Sequence, residues 1–150
     1  MTKDKVLTGA AGAYYVGFQL SELGYAVGLT THGTKAIDMF VANRDTGKSI
    51  TVQTKTMRDA SYRSGTESWW HWRVSKSLPT AHESFFYAFV DLRNVPPKTP
   101  DVFIAPSPRL PSLIYGYPDW CDIEEEDAQK YRNRWDIIDN VLAQNMDCHF

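Results

Sequence analysis

The sequence predicts an α/β sandwich, a mixed sheet flanked by helices, and three observations carry that reading. Near the start, Ala13, Val16, Leu20 and Leu23 recur at helical spacing on one stripe. The middle is strand-rich, and Phe85-Phe-Tyr-Ala-Phe-Val is apolar on both faces, as a central buried strand requires. Near the end, Tyr131, Trp135, Ile138 and Leu142 restore a helical stripe.

In chain order, Thr8 to Leu23 reads as a helix, with Thr8 as its cap and Gly24 as its stop. Tyr15 and Phe18 fall on the side away from the sheet, where a partner, including a second copy in a homodimer, can cover them. Tyr25 to Thr31 makes a short strand, and His32-Gly33-Thr34 turns the chain. Lys35 to Thr56 reads as a β-hairpin. Ala36 to Ala42 is apolar apart from Asp38, Asn43 to Lys48 has turn chemistry, and Ile50 to Thr56 alternates. Met57 to Gly65 is polar and basic with little period, so a loop is expected there. Glu67 to Val74 follows as an aromatic strand, His82 to Arg93 holds the central strand, and Asn94 to Pro100 is a stiff connection. Val102 to Ala105 is a strand stopped by Pro106 and Pro108. From Asp122 the chain is expected to be helical, with acids at the favourable end of the dipole.

The hairpin carries the chemistry. Side chains alternate along a strand, so Gln53 and Lys55 share one face while Ile50, Val52 and Thr54 take the other. Asp38 opens the first strand of the hairpin and can sit opposite them. An acid, an amide and a lysine meeting in this way describe a site more than a core.

Composition sets the outer limits. The 150 residues suffice for one domain with a full core. No apolar run reaches the ~20 residues of a membrane span, and Met-Thr-Lys-Asp-Lys-Val is too short and polar for a signal peptide. Two cysteines, Cys121 and Cys148, cannot build a disulfide framework, so a reducing, cytoplasmic setting is expected. Net charge is only −2, yet residues 1–118 carry 13 Lys and Arg against 9 Asp and Glu, and residues 119–150 carry 3 against 9. A positive body of this kind can present a basic groove to nucleic acid. The plainer reading of the acidic end is a solvated helix start.

Asp38 followed by Gln53-Thr54-Lys55 resembles the motif of the PD-(D/E)XK nuclease superfamily, in the variant with Gln at the second metal position. Gly12, Val16, Leu20 and Gly24-Tyr25 resemble the helix and turn that precede that motif. The resemblance covers about the first half of the chain. It implies a restriction-endonuclease-like three-layer α/β/α sandwich with a central mixed sheet, acting on DNA with magnesium or manganese. In that family's terms Asp38 and the Gln53 side chain would bind the metal, with the Thr54 backbone carbonyl nearby. Lys55 would hold the attacking water or stabilise charge at phosphorus. Arg58, Tyr62 and Arg63, just after this strand, are the candidates for nucleic-acid contacts.

One feature departs from the pattern. Members of the superfamily often carry Glu just after the glycine matched by Gly12, and here that residue is Ala13. Glu22 cannot replace it, since nine residues at 100° each turn it away from the Ala13 stripe. With a carboxylate fewer, the alternative is a weakened nuclease-fold module that binds nucleic acid or protein without cutting. The structural alternative is a surface ion pair between Asp38 and Lys55, worth at most about 1 kcal/mol. Trp69, Trp70 and Trp72 with His71 and Arg73 read as core and edge packing before they read as a stacking surface. Cys121, Cys148 and His149 match no zinc spacing, and His32 reads as a turn residue.

Overall fold

The computed structural model describes residues 4–31 and 36–143. His32 to Lys35, Cys148 and His149 lie outside the described residues. Helix α1 spans Lys5–Glu22 and begins a turn earlier than the sequence predicts. Asp4, not Thr8, caps it, its carboxylate accepting from the Val6 N–H at 2.6 Å. Gly24, at φ +96°, closes the helix with two backbone bonds, Gly24 N–H to the Ser21 carbonyl and Tyr25 N–H to the Leu20 carbonyl. Val16 and Leu20 are fully buried; Leu23 and Phe18 are not.

Among the described residues the strands that follow are β1 (Ala26–Leu29), β2 (Met39–Ala42), β3 (Ser49–Met57), β4 (Ser61–Ser64), β5 (Glu67–Arg73), β6 (Phe85–Asp91), β7 (Asp101–Pro106) and β8 (Trp120–Glu124). Helix α2 (Asp136–Leu142) closes the described chain. Five strands form a mixed sheet in the order β1-β2-β3-β6-β7, with β3 parallel to β6 and the other pairs antiparallel. The hairpin β2–β3 is the expected one, with Met39 opposite Val52. Its turn uses Gly47 at φ +74°, and the Asn43 side chain accepts from the Asp45 amide. Every residue of β6 is buried.

Both α-helices lie on one face of this sheet. Val16 and Leu20 of α1 and Ile138 and Leu142 of α2 share a core with Ile50, Val52, Ala88 and Ile104. Tyr25 donates its hydroxyl to Asp139, tying β1 to α2. Burial first, and then Asp139, push the Tyr25 phenol up to about 12. The Asn43 amide and Thr46 hydroxyl of the hairpin turn both donate to the last carbonyl of α2, at 3.1 and 2.8 Å.

The opposite face is covered by a second, antiparallel sheet of three strands, β4-β5-β8. Trp70, Trp72, Cys121 and Ile123 point inward onto Phe85, Tyr87, Phe89 and Phe103. The central mixed sheet and flanking helices are those the sequence predicts, but the second outer layer is β rather than α. Two expectations change with it. Residues 57–65 are not a loop, since 61–64 pair with β5 through a turn at Gly65, φ +62°. The stretch 122–142 is not one helix. Residues 120–124 are strand, Glu125–Lys130 is a 3-10 turn, and Asn133 at φ +53° breaks any helix running into α2. No helix among the described residues is long and apolar enough to cross a membrane.

Helix α1 meets the sheet through a glycine. A Cβ placed on Gly12 would lie 1.9 Å from the Thr56 hydroxyl oxygen of β3. Thr56 is β-branched and its buried hydroxyl has no partner among the described residues, so it has little room to yield. Gly12→Ala is therefore expected to destabilise the fold by about 1–3 kcal/mol. A denaturant midpoint measures this, and Thr56→Gly, which removes both the hydroxyl and the Cβ that would lie 2.8 Å from the new Cβ, is expected to recover part of the loss where Thr56→Ala recovers less.

Candidate active site

The site grows from the place where β2 begins. Ala36, at φ +66°, turns the chain, and Asp38 then enters the sheet between two strands. The Asp38 amide donates to the Val52 carbonyl, and the Asp38 carbonyl accepts from the Thr30 amide, both at 2.9 Å. Since Met39 pairs with Val52, Asp38 stands opposite Gln53. Beyond that point, among the described residues, β3 continues with no strand beside it on the β2 side. The Asp38 carboxylate fills the gap: its Oδ2 accepts from the Thr54 amide at 2.6 Å and the Thr54 hydroxyl at 3.0 Å. Two donors on one oxygen fix the carboxylate's orientation. Oδ1 accepts no hydrogen bond among the described residues.

Gln53 and Lys55 are half-buried on the face opposite α1. There the small sheet covers β6 and β7 and leaves β1 to β3 largely open, so that Phe40, next on this face after Asp38, is 52% exposed. Burial lowers the Lys55 amine below its ordinary value, while the nearby Asp38 charge pulls it back up. The Gln53 amide makes no hydrogen bond among the described residues.

As a donor set, this is one fixed carboxylate, one amide and one backbone carbonyl. No group of three or more His, Cys, Asp and Glu side chains that could hold a metal occurs among the described residues. A hard ion that keeps most of its waters, such as magnesium, fits such a set, whereas a site needing several charged ligands does not. Ala13 is partly buried in the helix-side core, on the side of the sheet that Thr54 and Thr56 face.

The expected nucleic-acid residues divide. Arg58 turns to α1, its Nε donating to the buried Thr8 hydroxyl at 3.0 Å. Tyr62 and Arg63 are exposed on β4. The tryptophans divide as well. Trp70 and Trp72 are core, and Trp72 donates to the Val90 carbonyl at 3.0 Å. Trp69 faces outward against Tyr62. The sequence reading did not single out Asp91, which ends β6 beside Met57 at 1% exposure. It accepts from the Ala60 amide through Oδ1, has no partner on Oδ2 among the described residues, and burial raises its pKa. A charged residue closing an all-apolar run was its signal.

No protein-family model matches the sequence, and no curated protein matches it either. Among solved structures, the chain is similar to a bacterial homing endonuclease at a TM-score of 0.61 and 14% identity, over 95% of this chain and 96% of that one. The likeness is one of fold. It establishes an endonuclease-like α/β architecture along nearly the whole chain, including the second half that the motif did not reach.

Proposed function

We propose that the chain is a metal-dependent endonuclease of the PD-(D/E)XK type, hydrolysing DNA phosphodiester bonds at Asp38, Gln53 and Lys55. The observation that carries this reading is the Asp38 carboxylate, whose Oδ2 is held by Thr54 where Asp38 stands opposite Gln53 in the register and where its charge reaches Lys55. The endonuclease-like fold supports it.

Magnesium or manganese, held by Asp38, the Gln53 side-chain oxygen and the Thr54 carbonyl, would neutralise phosphate charge and acidify water. The chain's own groups do the rest. Thr54 fixes the orientation of the Asp38 carboxylate. Lys55 donates to the attacking water or to a non-bridging phosphate oxygen, where negative charge grows in the transition state. The open face over β1 to β3 admits a duplex, and Phe40 lies on its floor. A cleavage assay with and without magnesium on duplex, branched and single-stranded DNA tests the reading. Metal-dependent nicking lost in Asp38→Asn supports it; no cleavage under any of these conditions refutes it.

The second reading, binding without cutting, is favoured by the donor set, which brings one carboxylate, that of Asp38, to Gln53 and Thr54 among the described residues; Ala13, expected to face the site, lies in the helix-side core instead. Under that reading DNA binds and is never cut, with or without metal.

Lys55 supplies a pH test. Its lowered pKa means that it loses its proton before a free lysine does. Cleavage is expected to fall on an alkaline limb below pH 10.5, and Lys55→Arg, if active, moves that limb upward. The sign for stability is opposite. The charged amine is disfavoured in the folded state, so folding stability rises as pH climbs through the folded pKa towards 10.5.

A further inference from the structure

A second cluster lies away from Asp38, where the β4–β5 hairpin meets the ends of β6 and β7. An open pocket of about 400 Å³ is lined there by Tyr62, Arg63, Trp70, Arg93, Lys98 and Arg132. The Arg93 and Arg132 guanidiniums lie 5.1 and 4.7 Å from the centre of the Trp70 ring, so one indole orients both. Among the described residues, two of the four cations are engaged. Lys98 pairs with Asp101 at 2.7 Å, and Arg132 reaches Glu125 only at 3.4 Å. Glu125 is itself held by the Trp70 indole N–H. The Arg132 Nε is buried and has no partner among the described residues. Arg93 lies within electrostatic reach of Asp59 and Asp91 without pairing to either, and Arg63 is exposed. Planar forked donors with spare capacity in a pocket of this size suit a phosphate.

The pocket does not end there. Tyr62 and Trp69 also wall a neighbouring groove of about 410 Å³, which continues over His71, Trp120, Tyr115 and Tyr117. Along it the rings form a ladder: Tyr62 to His71 at 5.2 Å, His71 to Trp120 at 4.7 Å, with Arg73 over Trp120 at 5.6 Å. Asp122 and Glu124 line the far side, where they repel phosphate but can accept from the amino groups of bases. A cationic pocket running into an aromatic ladder is the chemistry of an unpaired nucleic-acid strand, whose backbone is held by charge and whose bases stack. Duplex DNA keeps its base faces covered and cannot use such a ladder.

We propose that this track on the small sheet binds a single-stranded segment of nucleic acid, with one phosphate among Arg63, Arg93 and Arg132 and adjacent bases on Tyr62, His71 and Trp120. The proposal deepens the nuclease reading by assigning it a substrate with an unpaired strand, but its test does not depend on cleavage.

The test is fluorescence anisotropy of labelled 12-nucleotide single strands and matched duplexes in chelator, across a salt series. Single strands are expected to bind the native chain. Tyr62→Ala weakens this about tenfold with the salt slope unchanged, because it removes a stacking platform. Arg63→Gln with Arg93→Gln also weakens it and lowers the salt slope by about 0.7, the loss of one neutralised phosphate on a single strand. Arg63→Gln alone, at an exposed position that leaves the Trp70 stack intact, is expected to take half that slope. Tyr14→Ala, exposed on α1 across the large sheet from the track, leaves single-strand affinity unchanged. If duplex binds and single strand does not, or if these track variants bind like the native chain, the proposal is overturned. If single strands bind as described while no substrate is cut, the track stands and the nuclease reading fails.

Discussion

Asp38→Ala is expected to remove metal-dependent cleavage, lowering the rate by about a thousandfold or more. The loss of the one fixed carboxylate at the site among the described residues takes away several kcal/mol of charge stabilisation, and each 1.36 kcal/mol is tenfold in rate. The fold is expected to survive, because the backbone bonds of Asp38 to Val52 and Thr30 do not involve its side chain. Thr54→Val makes the finer test. It removes one donor to Oδ2 and keeps the amide at 2.6 Å, so the carboxylate loses orientation but not charge. About a tenfold loss is expected, with the metal requirement intact. Single-turnover cleavage of a labelled duplex measures both. Equal activity in Asp38→Ala and the native chain would remove this residue from the chemistry.

The largest stability effect is expected at Trp72. Its side chain is fully buried between the two sheets, with Phe89 and Phe103 at 5.3 and 4.9 Å, and its indole N–H satisfies the Val90 carbonyl. Trp72→Ala opens a cavity and strands that carbonyl, costing about 3–5 kcal/mol. This is a large part of the stability of an ordinary domain. His71→Ala, one residue earlier on the outer face, is expected to cost less than about 1 kcal/mol. Paired denaturant curves decide between them. Similar midpoints for the two variants would mean that the small sheet is not packed as described.

What the sequence disclosed, and what it did not, follows from where the signals lie. The first helix, the β2–β3 hairpin and the central strand β6 were legible from local pattern, and the face of Gln53 and Lys55 from the alternation in β3. The pairing of Asp38 with Gln53 followed from the hairpin turn, which Asn43 and Gly47 announce. Ser61–Ser64 was not legible as a strand, because Ser-Tyr-Arg-Ser has no apolar face of its own and forms by pairing with β5. The strand at 120–124 was hidden in an acidic run where only Cys121 and Ile123 mark the buried side. The long C-terminal helix failed at Asn133, whose side chain and amide both bond to Val102 across the edge of β7. That is a tertiary contact without a local trace. The arginine pocket is the same kind of feature: Arg63, Arg93 and Arg132 come from three separate stretches, and only folding brings them to Trp70. Asp38's partner Thr54 fell between two cases, since the motif drew attention to its backbone while its hydroxyl and amide hold the carboxylate.

The central claim, that Asp38 with Gln53 and Thr54 forms a divalent-metal site, is tested most directly by calorimetric titration of manganese into the native chain and into Asp38→Ala. The native chain is expected to bind the ion with heat that the folded Asp38→Ala variant lacks. Equal binding by the two, or none by the native chain with DNA present, would contradict it.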